Sequence, residues 1–476
     1  MAWPVECRML DQNVVAEVLQ AARAGGASWA DLFMEDSITG ALHLLNGQVK
    51  DATGGNNYGV GVRALYGTKV IYAFTNDCSR DGLLAVAAAV ANAVTRVEGN
   101  AGLTDSAGHG GLDFRRAHLP RLWEVKNLPS STSKREKLEL ARRAGAAALD
   151  GKVKTVDVRF LDSQRRILVA NSDGDWFEDE RSYSRLVVSA IAEDGNDRES
   201  GVVGPGWARG LECFAGEIPE QIGREAARIA NAMLGAAFAP AGTLPVVIGN
   251  AWGGVIFHEA CGHSLETTAI EKNASQFVGK IGQQVANPLV TAIDDGTIPG
   301  LWGSLHCDDE ATPVARTTLI KDGILESYMV DRVGELKTGF ARTGSGRRQD
   351  YTFAPASRMR NTFIDNGSST PEELIKSVSH GLYARSMGGG SVSPGTGDYN
   401  FAVSEAYMIR NGEIAEPLRG ASLVGNGAED LMNIVGVAND LEIGTGGMCG
   451  SVSGSIPAGL GQPHILVSQM TVGGRA

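Results

Sequence analysis

The sequence predicts an α+β fold in two domains: an N-terminal α/β layer with antiparallel strands (residues 1–240) and a β-rich C-terminal domain (residues 241–476). Three observations carry that expectation. The 476-residue chain is well beyond the roughly 250–300 residues at which a single hydrophobic core stops growing. Its first half alternates helix-period stretches with paired strand-period runs. Its second half is a succession of short strands and turns. The 62 glycines of the chain follow no Gly-X-Y period, so they read as turn and bulge positions.

Residues 13–23 place Val14, Val15, Val18, Leu19 and Ala22 at helical spacing and stop at Gly25-Gly26. Short apolar runs at 30–33 and 40–45 read as strands. Asn46-Gly47, before Val49, closes a two-residue hairpin, because both central residues of that turn need positive φ. Runs 59–66 and 69–74 form a second hairpin around Gly67-Thr68, and an alanine-rich helix follows over 79–97. Residues 100–131, with Gly108, Gly110, Gly111, Pro120 and Pro129, carry no period and read as an irregular connection. Helix resumes over 134–149. Four strands are expected at 154–162, 166–170, 176–181 and 183–193, turning at Asp162-Ser163 and at Asn171-Ser-Asp-Gly174, as an antiparallel meander. The amphipathic helix 219–234 closes the half, and residues 235–242, with Pro240, mark the domain boundary.

The second half opens with a strand at 244–249. Further strands are expected at 303–307, 315–321, 324–330, 358–364, 401–410 and 461–472, with turns at Asp322-Gly323 and Asn411-Gly412. One short helix, 370–378, has Pro371 at its first position and Glu372 and Glu373 in its first turn, where they complement the helix dipole.

The balance of 43 basic to 55 acidic residues, a formal charge of −12, points away from direct nucleic-acid binding and from an anionic membrane surface. Six cysteines, Cys7, Cys78, Cys213, Cys261, Cys307 and Cys449, form no CxxC pair, which suits a reducing compartment. The N-terminal residues include no apolar signal-peptide core, and the most apolar run, 83–94, is shorter than the ~20 residues that span a bilayer. A cytoplasmic location is expected.

One stretch concentrates chemistry. Residues 257–266 hold His258, Glu259, Cys261, His263 and Glu266: two imidazoles, a thiol and two carboxylates. A histidine followed by glutamate, with a second histidine nearby, is the pattern of zinc peptidases, in which the histidines hold the metal and the glutamate acts as general base. The spacing is one residue longer than the familiar i, i+4 pair. On a regular α-helix His258 and His263 would lie about 140° apart. A π-type turn, which accommodates one extra residue, brings them to one face, and Gly262 makes such a distortion feasible. A metal site needs at least three protein ligands. Spacing leaves the third open among Glu266, His306, Cys307, Asp308, Asp309, Cys449 and His464.

Further blocks carry a resemblance. The segment His258-Glu-Ala-Cys-Gly-His-Ser-Leu-Glu266 is followed by Arg358-Met-Arg-Asn-Thr362, Asn400-Phe-Ala-Val-Ser-Glu-Ala-Tyr407 and Leu423-Val-Gly-Asn-Gly427. Met448-Cys-Gly450, Gly461-Gln-Pro463 and Met470-Thr-Val-Gly-Gly474 complete the series. In this order the blocks resemble the TldD branch of the TldD/PmbA family of metalloproteases and span nearly all of the second half. The resemblance implies a cytoplasmic zinc (Zn2+) peptidase in which a β-rich domain carries the metal-binding helix. It implies His258, His263 and Cys449 as metal ligands and Glu259 as catalytic general base. Implied substrates are small or unfolded polypeptides and leader peptides removed during peptide maturation. The implied partner is a PmbA/TldE-type chain in a heterodimer, with a homodimer as the other arrangement. The family has also been described as a modulator of DNA gyrase, for which the acidic charge indicates an indirect role.

Arg358, Arg360 and Tyr407, in the matching blocks, are candidate oxyanion partners. Cys261 is expected to point away from the shared histidine face into the core. Glu266 reads either as a carboxylate orienting a histidine or as a surface charge. Arg342, Arg347 and Arg348 read as a solvated loop or a site for a peptide carboxylate, and His306 and His464 as structural. Two other functions fit parts of the pattern: a cysteine hydrolase with Cys449 as nucleophile and His464 as base, and a non-catalytic peptide-binding or adaptor protein.

Overall fold

The computed structural model describes residues 10–98, 112–117, 119–393 and 395–474. Cys7 and, of the irregular connection expected over 100–131, residues 100–111 and 118 lie outside them. The first helix, Gln12–Arg23, starts where the Asp11 side chain accepts the N–H groups of Asn13 and Val14, which satisfies donors that have no partner within the helix. Two strands expected at 30–33 and 40–45 are one long strand, Trp29–Leu45, hairpinned to Gln48–Tyr66 through Asn46 (φ 49°) and Gly47 (φ 77°). The expected four-strand meander is likewise two long strands, Val153–Asn171 and Asp175–Asp194. Asp162-Ser163 makes no turn. These residues pair with Ser184 and Tyr183, and the Asp162 carboxylate reaches up to Lys137 Nζ at 2.8 Å on the overlying helix.

These strands form one antiparallel sheet in the order Lys69–Thr75, Gln48–Tyr66, Trp29–Leu45, Val153–Asn171, Asp175–Asp194. Four helices cover one face. Gln12–Arg23 and Arg80–Glu98 bury Val15, Val18, Leu19, Leu83 and Val90 against Leu32 and Met34. Lys134–Ala147 and Ile218–Met233 bury Ala141, Ala144, Ala226 and Ala230 against Val156, Val158, Phe160 and Leu186. Each large apolar side chain buried in this way contributes about 1.5–3 kcal/mol. The alternate residues look the other way, towards the C-terminal half.

The second half contains a closed barrel. Gly242–Ile248, Ile465–Gly473, Ser422–Asn426, Asp398–Arg410 and His380–Ser393 pair in that order, and His380–Ser393 pairs in parallel with Gly242–Ile248 to complete the ring. A second sheet runs Ile324–Leu325, Arg316–Lys321, Ala292–Asp295, Asn361–Ile364, Gly454–Gln462, Glu442–Ser451. The chain is thus α+β with more than one domain. Four differences from the sequence expectation have local causes. Residues 303–307 make no strand: a Cβ at Gly303 would fall 1.9 Å from the carbonyl oxygen of Arg360, so the two backbones cross closely there. Residues 324–330 form a strand only over Ile324–Leu325, because the chain then leaves that sheet and Met329 bridges Glu266 instead, its N–H donating to the Leu265 carbonyl at 2.9 Å. The strand at 358–364 is reduced to Asn361–Ile364, because Arg358 and Arg360 are buried and bonded elsewhere. The expected 461–472 strand breaks at Pro463, which cannot donate to a ladder.

Buried ion pairs join the halves. Arg63 bonds Asp31 at 2.6 and 3.0 Å and Glu310 at 2.7 Å, and Arg181 bonds Asp309 at 2.6 Å. Arg347 and Arg348, expected on a solvated loop, are almost fully buried in this junction. Arg347 donates to the Met359 carbonyl at 2.6 Å, and the Arg348 guanidinium lies 4.2 Å from the Phe33 ring. Only Arg342 keeps substantial exposure, paired with Glu335 at 3.1 Å. Among the described residues no helix is long and apolar enough to cross a membrane.

Candidate metal centre

The helix that begins at Val255 widens at once. Residues His258–Gly262 form a π turn, closed by the N–H of His263 on the carbonyl of His258, five residues back. The extra residue puts both imidazoles on one side, with ring centroids 5.4 Å apart and planes at 87°. Gly262 has ordinary right-handed helical angles (φ −56°, ψ −51°), so backbone freedom does not explain it. Space does: a Cβ there would lie 2.3 Å from Met359 Sδ.

Cys449 comes from the hairpin of Glu442–Ser451 and Gly454–Gln462. Its Sγ sits 3.3 Å from Nε2 of His258 and 3.3 Å from Nε2 of His263, and the three candidate ligand atoms lie within 4.8 Å of one another. Burial alone would raise the Cys449 thiol. The charges and hydrogen bonds of the two imidazoles outweigh it and hold the group well below its usual value. Cys261, inside the same turn, shows the reverse: burial first and the charge of Asp430 second push its thiol up. It points into the core, beside Ala260 and the backbone of Gly427.

Two buried side chains hold this arrangement in place. Glu266 Oε2 lies 3.3 Å from Nδ1 of His263, and its Oε1 accepts the N–H of Met359 at 3.3 Å. Burial would lower the His263 imidazole, yet the Glu266 charge and the bonds to Cys449 and Glu266 raise it well above its ordinary range. Arg358, fully buried, donates from Nη2 to the carbonyl of Cys449 at 2.5 Å and from Nη1 to Ser453 Oγ and the Gly454 carbonyl, each at 2.9 Å. Its Nε lies 3.7 Å from Glu266. The hairpin that brings the thiol is thereby tied to the carboxylate that orients the imidazole. Nδ1 of His258 has no hydrogen-bond partner among the described residues, so Nε2 is that ring's engaged nitrogen.

Two imidazole nitrogens and a thiolate form a borderline-soft donor set of the kind that suits zinc. Ordinary zinc–sulfur and zinc–nitrogen lengths at a tetrahedral angle separate sulfur from nitrogen by about 3.5 Å. The observed 3.3 Å separations fit that requirement. Glu259 is the most accessible charged group here, its side chain 30% exposed and its Oε2 3.7 Å from Nε2 of His263.

The remaining sequence candidates are engaged elsewhere. His464 bonds Asp440 at 2.7 Å and Tyr383 at 2.9 Å, so the Cys449–His464 dyad does not form. His306 stacks on Trp123 with centroids 4.2 Å apart. Cys307 and Asp308 are buried near the junction, where Asp309 meets Arg181. Of the oxyanion candidates, Arg358 is spent on the hairpin, Arg360 bonds Asp294 at 2.6 Å and Tyr407 bonds Glu405 at 2.6 Å. Sequence reasoning did not find the staple made by Arg358. Its signal was available only as a matching block.

Three family models cover the chain in succession: PmbA/TldA metallopeptidase domain 1 over residues 30–93, the central domain over 127–234 and the C-terminal domain over 241–474. A metalloprotease TldD homolog from Haemophilus influenzae is 38% identical over 454 residues, covering 94% of this chain and 93% of that one. A metalloprotease from Methanothermobacter thermautotrophicus is 33% identical over 447 residues, covering 94% and 95%. Among solved structures, a proposed modulator of a DNA gyrase from Thermotoga maritima superposes with a TM-score of 0.77 at 23% identity, covering 97% of this chain and 99% of that one. TldE from Thermococcus kodakarensis does so with a TM-score of 0.74 at 15% identity, covering 96% and 99%.

Proposed function

The chain belongs to the PmbA/TldD family of metallopeptidases, and from that premise we propose a zinc-dependent peptidase with His258, His263 and Cys449 as ligands and Glu259 as general base. The observation that carries the assignment is the convergence of three ligand atoms within 4.8 Å from segments 186 residues apart. A zinc ion held there supplies Lewis acidity, which polarises a peptide carbonyl and makes water more acidic. Glu259 takes the proton of the attacking water on a carboxylate oxygen and returns it to the leaving amine. Glu266 holds the His263 ring through Nδ1, leaving Nε2 free to face the metal. Arg358 fixes the Cys449 carbonyl and so the direction of the thiolate.

The proposal includes small or unfolded polypeptides and leader peptides as substrates, a role in peptide maturation, and action in the cytoplasm. It also includes a division at residues 240 and 241, and assembly with a TldE-type partner or a second copy. Likeness to a TldE structure motivates the partner. The test is Glu259→Gln, assayed on an unfolded polypeptide with metal content measured alongside. Cleavage falls at least about 100-fold while zinc stays bound; unchanged cleavage refutes the base.

One observation favours a second reading. Cys449 Sγ, His263 Nε2 and Glu266, on the ring's other nitrogen, are spaced as a thiol–imidazole–carboxylate triad. Activity that survives metal removal and is abolished by a thiol alkylator would favour it over the metallopeptidase mechanism.

A further inference from the structure

The large N-terminal sheet carries helices on one face and borders an open chamber of about 710 Å3 on the other. Along Trp29–Leu45, Leu42 and Leu44 turn to the helices, while Glu35, Ser37 and Thr39 turn to the chamber. The opposite wall is the Cys449 hairpin. Met448 pairs with Pro457 and Cys449 with Ile456. Side chains alternate between the faces of a strand. Met448 and Pro457 accordingly line the chamber, while Cys449 and Ile456 belong to the core on the metal side. One two-stranded ribbon thus separates the candidate metal centre from a second concave space, whose volume is in the range of ligand sites.

Among the charged groups that line this chamber, one differs from the rest. Glu35 is held by Arg165 at 2.8 Å, Asp162 by Lys137 at 2.8 Å, and Asp350 accepts from Thr352 and Gln349. Arg185 has only one bond, from Nε to the Gly204 carbonyl at 3.1 Å. Its two terminal nitrogens have no hydrogen-bond partner and no carboxylate within 4.0 Å among the described residues. Half-buried, it is a guanidinium whose open fork matches the two oxygens of a carboxylate. Beside it stand Tyr183 and Trp302, ring centroids 5.3 Å apart, and Trp302 is fixed by its Nε1 bond to the Gly447 carbonyl at 2.6 Å.

We propose that this chamber is a peptide-carboxylate site, in which Arg185 takes the carboxylate while Met448, 51% exposed, and Pro457 receive the apolar side chain next to it, against the buried edges of Tyr183 and Trp302. The choice of a peptide as ligand rests on the peptidase reading. The carboxylate follows from the unpaired guanidinium.

The test is calorimetric titration of the full-length, metal-depleted protein, in which the metal centre can offer no carboxylate ligand and no turnover is read. The probes are tetra-alanine with a free C-terminus, the same peptide as its C-terminal amide, and an end-blocked Ala-Glu-Ala-Ala. Tetra-alanine binds at least ten times more tightly than its amide if the carboxylate is terminal. The blocked glutamate peptide binds at least ten times more tightly than the amide if it is a side chain. In either case Arg185→Gln removes that advantage, Arg185→Lys restores part of it, and the melting temperature stays near that of the parent. Equal binding of all three probes, absence of binding, or an advantage that survives Arg185→Gln overturns the proposal. Because the acid-versus-amide comparison uses the unaltered chain, it stands even if the variant is unstable. Failure of the peptidase mechanism leaves these titrations unchanged.

Discussion

Glu266 Oε2 lies 3.3 Å from Nδ1 of His263, and the other nitrogen of that ring, Nε2, lies 3.3 Å from Cys449 Sγ. The carboxylate therefore fixes which nitrogen faces the thiol. Glu266→Gln keeps the size but removes the charge. Chelator competition is expected to show zinc affinity weakened about 10–100-fold, with the far-ultraviolet spectrum unchanged. Unaltered affinity would mean that packing alone orients the ring.

Gly262 is required by Met359. With Sδ 2.3 Å from where a Cβ would stand, Gly262→Ala should cost about 1–3 kcal/mol in denaturant unfolding and weaken metal binding. Adding Met359→Ala should recover part of the metal binding, because the obstacle is then gone. A Gly262→Ala variant that binds metal as the parent does would show that the π turn tolerates a side chain.

Arg63 neutralises Asp31 and Glu310 at the junction of the halves while fully buried itself. Arg63→Met removes the cation bonded to both carboxylates, leaving Asp31 only the Arg348 guanidinium at 3.9 Å and Glu310 the Arg332 N–H at 2.8 Å, and removal of one partner of a buried pair costs about 3–5 kcal/mol. Urea unfolding should reveal that loss, and limited proteolysis should show the halves cut apart more readily. A loss of under 1 kcal/mol would mean that the carboxylates find other partners.

Asp430 has a pH signature. Burial first, and then the charge of Glu429, raise its carboxyl to about 6, against the bond it accepts from Tyr399 at 2.6 Å. The folded state therefore holds this proton more tightly than the unfolded chain between about pH 4 and 6. The group's stabilising contribution is present at the acid end of that window and is lost as pH rises through 6. Asp430→Asn cannot ionise, so its stability relative to the parent should improve from pH 4 to pH 7. A difference independent of pH would contradict the assignment.

The local geometry of the candidate site was legible in residues 257–266, because an i, i+5 histidine pair can face one ion only if the helix gains a residue, and His258–Gly262 does form a π turn. The hairpin turns at Asn46-Gly47 and Asn411-Gly412 were legible for a similar reason, since positive φ restricts residue choice. Strand lengths were not. Polar interruptions such as Asp162 and Ser163 look like turns in one dimension, but on a sheet covered on one face they are residues that reach a helix lysine or face a chamber. Arg347 and Arg348 looked like surface charge, and Arg358 like an oxyanion partner, because their acceptors lie far away in sequence or are backbone carbonyls that carry no sequence signal.

The most direct test is metal analysis of the purified chain beside Cys449→Ser. The account predicts about one zinc per chain in the parent, lost on acidification as the ligands are protonated, and at least a tenfold drop in affinity in the serine variant with the fold intact. A parent without zinc, or a Cys449→Ser variant that binds it as tightly, would contradict the assignment of His258, His263 and Cys449 as the metal centre.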